Sequence, residues 1–165
     1  MKNLIQINFQ NIKNVGIRVD FNVPINDSFQ ITDNTRLIRA KDTIDFVSKN
    51  ESKILLLSHF GRPKESFDEK FSFKNLIDQF SNILGYEIQL LPYEEFLQNG
   101  LQQFKKGTNK ITLLDNIRFF EGEKKNDKSF SQSITNELDL FINEAFSASH
   151  RSHASVNQMA KNILS

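Results

Sequence analysis

Five short apolar runs, each about one strand long, alternate with segments whose apolar residues recur at helical spacing. The runs fall at 15–20, 53–58, 87–91, 110–114 and 140–143. Between them lie helix-spaced segments at 33–49 (Leu37, Ile38, Ile44, Val47), 72–84 (Phe73, Leu76, Ile77, Phe80, Leu84), 93–104 and 129–138, with a last one at 156–164. Strands that alternate with helices connect by right-handed crossovers into a parallel sheet with helices on its faces. The spacing therefore predicts an α/β fold, Rossmann-like, with a parallel sheet of five or six strands flanked by helices in three layers. Asp33, Ser72 and Ser155 are placed to cap helix N-termini, and Gly85 to end a helix in a left-handed turn. Residues 26–28 read as a turn, and 61–70 and 121–128 as polar loops. No repeat, low-complexity segment or internal linker divides the chain, so residues 1–165 read as a single domain. The chain stops in or just after its last helix, with no closing strand.

Bulk properties remove several function classes. The net charge is +1, without the basic excess of a nucleic-acid binder. There is no cysteine, which excludes disulfides and thiolate metal sites and fits a reducing, cytoplasmic setting. No apolar run approaches the roughly 20 residues of a membrane span, and the N-terminus has no signal-peptide core. The Gly-rich nucleotide loops and the nucleophile elbow of the hydrolases are also absent.

What remains is a distribution of arginine. The chain spreads 15 lysines along its length but has only six arginines. Four of these lie at or just past the ends of apolar runs: Arg18, Arg62, Arg118 and Arg151. Arg36 opens the first helical segment. All three histidines accompany them, His59 in Ser58-His59-Phe60-Gly61-Arg62-Pro63 and the others in His150-Arg151-Ser152-His153. A planar guanidinium suits bidentate contact with carboxylate or phosphate. In open parallel sheets, ligands sit just beyond the carboxyl ends of the strands. The pattern points to a site for a small, multiply charged anion. Arg18 alternates with Ile17 and Val19, in step with Asp20 and Asn22, so these three can share a face. Each position also has a plainer reading. Arg18 can pair with a carboxylate beneath a helix, Arg36 can be a surface cation, and Arg118 can cover an apolar rim beside Phe119 and Phe120. The histidine pair lacks nearby carboxylates at metal-ligand spacing, so no metal is expected.

Together these stretches resemble the N-terminal half of phosphoglycerate kinase. The resemblance is carried, in family order, by Arg18-Val19-Asp20-Phe21-Asn22-Val23-Pro24, Ile31-Thr32-Asp33-Asn34-Thr35-Arg36, Ser58 to Pro63, Asp115-Asn116-Ile117-Arg118-Phe119, and Ala145-Phe146 with His150 to Ser155. It implies that Asp20, Asn22, Arg36, His59, Arg62, Arg118 and Arg151 bind 3-phosphoglycerate or 1,3-bisphosphoglycerate. It further implies that Arg36 is catalytic, stabilising the transferring phosphoryl group, and that Arg18 and His150 belong to a supporting basic patch. The implied family activity is glycolytic phosphoryl transfer between 1,3-bisphosphoglycerate and ADP, or ATP and 3-phosphoglycerate, by a cytoplasmic, monomeric enzyme. Mg-ATP or Mg-ADP would be bound by a second lobe that this chain lacks, so no cofactor site is expected here. On this resemblance the chain is a truncated fragment, a partial gene product or half of a split enzyme whose partner is a separate nucleotide-binding lobe. Alone it would turn over poorly or not at all. The competing expectation is a non-catalytic module that binds a phosphorylated acid, or an inactive fragment. Asp115 stands where the family usually has glutamate, Glu144 where it has aspartate, Ser147 where it has glycine and Phe60 where leucine is common; none removes an anion-binding side chain.

Overall fold

Strands at Asn14–Arg18 (β1), Lys53–Leu57 (β2), Ile88–Leu91 (β3), Ile111–Leu114 (β4) and Leu140–Asn143 (β5) form one sheet in the order β3-β4-β2-β1-β5. Every pairing is parallel. The structure is a computed structural model and describes residues 4–64, 66–145 and 153–159. Helices lie at Thr35–Lys49 (α1), Ile77–Leu84 (α2), Tyr93–Asn99 (α3), Gln102–Lys106 (α4), Glu121–Lys124 (α5) and Lys128–Thr135 (α6).

The apolar runs explain why the sheet is covered on both sides. Successive residues of a strand face opposite ways. Ile54 and Leu56 of β2 enter one core with Val15, Ile17, Leu37, Ile44, Val47, Phe80 and Leu84. Leu55 and Leu57 enter a second core with Leu114, Phe96, Phe104, Ile134 and Phe141. Thus α1 and α2 cover one face, and α3, α4 and α6 the other, giving the three layers expected. Gly16 belongs to the second face, where an added Cβ would meet Leu138 Cδ1 at 2.5 Å.

Several boundaries differ from the sequence reading for local reasons. The expected strand at 15–20 stops at Arg18. The helix expected from Asp33 begins at Thr35, and the Asp33 carboxylate takes the Thr35 N–H at 2.8 Å and its hydroxyl at 2.6 Å. Ser72 caps only a 3-10 turn at Phe73–Asn75, so α2 starts at Ile77. Gly85, at φ +75°, does end α2 in the left-handed region. The single helix expected at 93–104 breaks at Gly100, whose φ is +57°. The loop expected at 121–128 contains α5, and Asp127 caps α6 by accepting the Phe130 N–H at 2.7 Å. Of the last helix expected at 156–164, residues 156–159 lie among the described residues; Val156 and Asn157 are in a turn, and only Gln158 and Met159 are helical.

Candidate anion-binding site

The connections place a crevice at one edge of this sheet. From β1 the chain moves outward through α1 to β2, then past β4 to β3; it returns through α3 and α4 to β4, and through α5 and α6 to β5. With one handedness of crossover, that reversal carries the later helices to the opposite face. Neighbouring strands β2 and β4 therefore send their outgoing segments to opposite sides, the switch point at which α/β sheets open a ligand crevice.

Buried polar side chains fix the loops at this rim. Asn116 accepts the Phe60 N–H at 3.1 Å and donates through Nδ2 to Phe60 O at 2.6 Å and Phe71 O at 3.1 Å. Its Oδ1 also takes the Arg118 N–H at 3.1 Å, opening a 3-10 turn at Ile117–Phe119. Ser58 Oγ accepts the Phe21 N–H at 2.8 Å, and Asn22 Oδ1 accepts the Gly61 N–H at 2.9 Å. The segments leaving β1, β2 and β4 are thus tied together by side chains that a shift of one residue would misplace.

Onto this frame the fold gathers most of the cations singled out in the sequence. Arg36, at the start of α1, ion-pairs with Asp20 beyond β1. Arg118 Nη1 approaches Gly61 O at 3.4 Å. Arg18 is 2% exposed, donates to Val19 O and Leu57 O, and meets His59 Nδ1 at 3.1 Å through Nη2. Burial lowers the Arg18 pKa to about 10, against the opposing pull of Glu123 and Asp20 and with a smaller push from Arg118. It remains charged at neutral pH. Arg62 is exposed on the turn that follows Gly61. Arg151 and His150 lie outside the described residues. Positive charge held at a crevice mouth by buried partners can receive a small polyanion with little reorganisation. A separate hollow of about 570 Å³, between Thr32, Asn34, Gln79 and Asn82, has no cationic side chain on its wall.

Two groups in this region were not legible as such in the sequence. Glu123, within the expected charged loop, is 1% exposed and accepts the Ser155 N–H at 2.8 Å and the Ser155 hydroxyl. Ser155, expected as a helix cap, instead receives Arg18 Nε on its Oγ at 2.9 Å. One signal was available. Glu121 has Lys125 four residues on and pairs with it, whereas the residue four after Glu123 is Asp127. A carboxylate without a helical partner is a candidate for a tertiary one. Burial raises the Glu123 pKa, opposed by the Ser155 hydroxyl, Arg18 and the Ser155 N–H.

Asp115 is the other buried carboxylate among the described residues, accepting from Ser72 Oγ at 2.8 Å, Phe73 N at 2.9 Å and Asn116 N at 2.8 Å. Burial nevertheless raises its pKa, outweighing those bonds. A carboxyl group whose pKa is raised on folding contributes stability that is present at acid pH and lost as pH climbs through its folded value. Asp115→Asn keeps an oxygen for the two backbone donors and removes the charge. Urea unfolding is expected to show the variant more stable than the parent at pH 8, by on the order of 1 kcal/mol. The advantage should shrink toward pH 4.

Comparison with known proteins points the same way as this geometry. The sequence model of the family described as phosphoglycerate kinase matches residues 4–165. A phosphoglycerate kinase of Wolbachia sp. subsp. Drosophila simulans (strain wRi) is 42% identical over 151 residues, which cover 90% of this chain and 37% of that relative. That of Helicobacter hepaticus (strain ATCC 51449 / 3B1) is 43% identical over 150 residues, with the same coverage of 90% and 37%. The structure of phosphoglycerate kinase from Coxiella burnetii superposes with a TM-score of 0.78 at 30% identity, covering 95% of this chain and 38% of that one. The enzyme from Pyrococcus horikoshii OT3 reaches a TM-score of 0.81 at 24% identity, a likeness of fold, over 98% and 41% of the two chains. This chain thus spans a little over a third of the length of the curated relatives it matches.

Proposed function

The chain belongs to the phosphoglycerate kinase family, and from that premise we propose that the strand-end rim binds 3-phosphoglycerate or 1,3-bisphosphoglycerate and carries the acid-substrate half of a phosphotransferase. The observation that carries this reading is that Arg18, Arg36, Arg118 and His59 meet at the loops leaving β1, β2 and β4 through three tertiary contacts, Arg36 with Asp20, Arg18 with His59 and Arg118 with Gly61. In this reading Arg36, Arg62 and Arg118, with Arg151, bind the phosphate and carboxylate charges. Asp20 orients Arg36 and, with Asn22, accepts from substrate hydroxyl groups. His59 donates to the phosphoglycerate. Arg36 also stabilises the phosphoryl group in transit, because such transfer depends mainly on positioning and on neutralising equatorial oxygen charge. Arg18 and His150 supply background positive potential.

No nucleotide site is assigned to the described residues. The segment entering α1, Thr32-Asp33-Asn34, carries no glycine, and the Asp33 carboxylate already occupies the Thr35 N–H that a phosphate would need. Mg-ATP or Mg-ADP would come to the rim on a separate nucleotide-binding lobe, so the chain by itself binds the acid and turns over poorly. Residues 1–165 act as one domain of a cytoplasmic, monomeric glycolytic enzyme in this reading. Among the described residues no helix is long and apolar enough to cross a membrane.

Calorimetric titration of the 165-residue chain with 3-phosphoglycerate tests the site. Arg36→Ala and Arg62→Ala are each expected to weaken binding by roughly 1–3 kcal/mol, the loss of a charged hydrogen-bond partner. Two variants that bind like the parent would remove the assignment. Coupled turnover by the chain alone at ordinary enzyme rates would refute the need for a second lobe. One rival reading is a non-catalytic module that binds a phosphorylated acid. Activity restored by adding a nucleotide-binding lobe would count against that rival.

A further inference from the structure

The buried contacts behind the rim form a line of hydrogen bonds centred on the donor-only guanidinium of Arg18. Glu123 is acceptor-only when ionised, and both Ser155 donors, N–H and Oγ–H, point to its two oxygens. With its single proton committed to Glu123, Ser155 Oγ has only lone pairs left, and Arg18 Nε fills one at 2.9 Å. The Arg18 guanidinium has no acceptor atom. Its Nη2 contact with His59 at 3.1 Å is therefore a hydrogen bond only if Nδ1 carries no proton. Donation runs outward from Arg18 in two directions, to His59 Nδ1 and through Ser155 to Glu123, and all four groups are buried.

We propose that Glu123 and Ser155 are positioning residues which, acting through Arg18, hold His59 in the tautomer that carries its proton on Nε2. A neutral imidazole has one donor and one acceptor. Committing the acceptor to Arg18 leaves Nε2 as the donor, the form in which His59 can give a hydrogen bond to an anion. Two features separate this from a buried ion pair that only stabilises. Arg18 and Glu123 meet through a hydroxyl rather than directly, so the oriented hydroxyl fixes where Nε, and with it Nη2, lies. The carbonyls of Val19 and Leu57 hold only Nη1, so the Nε side of the guanidinium is fixed by Ser155 and, behind it, Glu123. The relay reaches His59 from the segment that follows His153, so the last described residues and the loop after β2 are set by the same carboxylate. The use made of the tautomer rests on the phosphoglycerate reading above, but the tautomer itself does not.

Long-range 1H–15N correlation spectra of the chain labelled with 15N-histidine, recorded at pH 8, test the proposal. Its three histidines are few enough to assign with a His59→Gln variant. The parent is expected to show His59 as the Nε2–H form. Ser155→Ala and Glu123→Gln should each move His59 toward a mixture of tautomers and weaken 3-phosphoglycerate binding roughly tenfold. Ser155→Thr, which keeps the hydroxyl, should restore both. An Nδ1–H His59 in the parent overturns the proposal even if a variant fails to fold. So does a folded Ser155→Ala or Glu123→Gln whose His59 signals match the parent. If the tautomer behaves as stated and no form of the chain binds 3-phosphoglycerate, the positioning role stands and the phosphoglycerate reading fails.

Discussion

Asn116→Ala is expected to lower the stability of the chain by about 3–5 kcal/mol and its thermal midpoint by roughly 10 °C. Asn116 is fully buried, and its amide joins the loop after β2 to the loop after β4 with bonds to both polar groups of the Phe60 backbone. Truncation leaves the Phe60 N–H and the Phe60 carbonyl short of a partner where they are buried, and takes a bond from the part-buried Phe71 carbonyl. The penalty for stranding a buried group is larger than the net worth of the bond it made. The amide volume is lost as well, beside Phe60, Phe71 and Phe73, whose rings pack at 6.1 and 6.0 Å between centroids. Urea melts followed by circular dichroism give the stability, and titration with 3-phosphoglycerate should show weaker binding in the same variant. Retained stability with weakened binding would show that Asn116 serves only the local geometry of Arg118.

Gly61→Ala should cost about 2–4 kcal/mol and should reduce anion binding more than its stability loss alone would suggest. Gly61 has φ +59°, and a Cβ built there would lie 2.4 Å from the ring of Phe71. The first fact penalises any L side chain at this backbone conformation. The second forces the Phe71 ring to move, and that ring packs on Phe60. The loop cannot swing out freely, because Gly61 N is held by Asn22 and Gly61 O by Arg118. Relief of the clash should therefore displace Arg62 and loosen Arg118 together. Comparison of Gly61→Ala with Arg62→Ala by titration separates the effects. If Gly61→Ala binds 3-phosphoglycerate like the parent, the turn is not what places these arginines.

The central strands were easy to read because both their faces are covered. Leu55, Leu56 and Leu57 form an uninterrupted apolar run, and such a run has few alternatives between loops of polar residues. Gly85 and the grouping of arginine and histidine at strand ends were likewise visible in short windows. The segment before α2 was misread for the opposite reason. Its apolar spacing is helical, but Asp115 captures the Phe73 N–H and Ser72 Oγ from across the sheet and holds a 3-10 turn there. The run at 121–128 looked solvated because six of its eight residues are charged. Charge density says nothing about which carboxylate faces inward.

By itself the sequence determined the α/β class, the alternation that makes the sheet parallel, and the arginine-bearing strand ends. These depend on hydrophobic period and turn chemistry within a few neighbouring residues. Only the tertiary structure decided that Arg18 is buried with His59, that Glu123 lies beneath the rim, and that Asn116 bridges two loops. Arg18 and Ser155 are 137 positions apart, and Ser155 and Glu123 are 32 apart. Hydrogen bonds over such separations form only after the sheet order brings the segments together, and burial then gives them strength that local patterning does not encode.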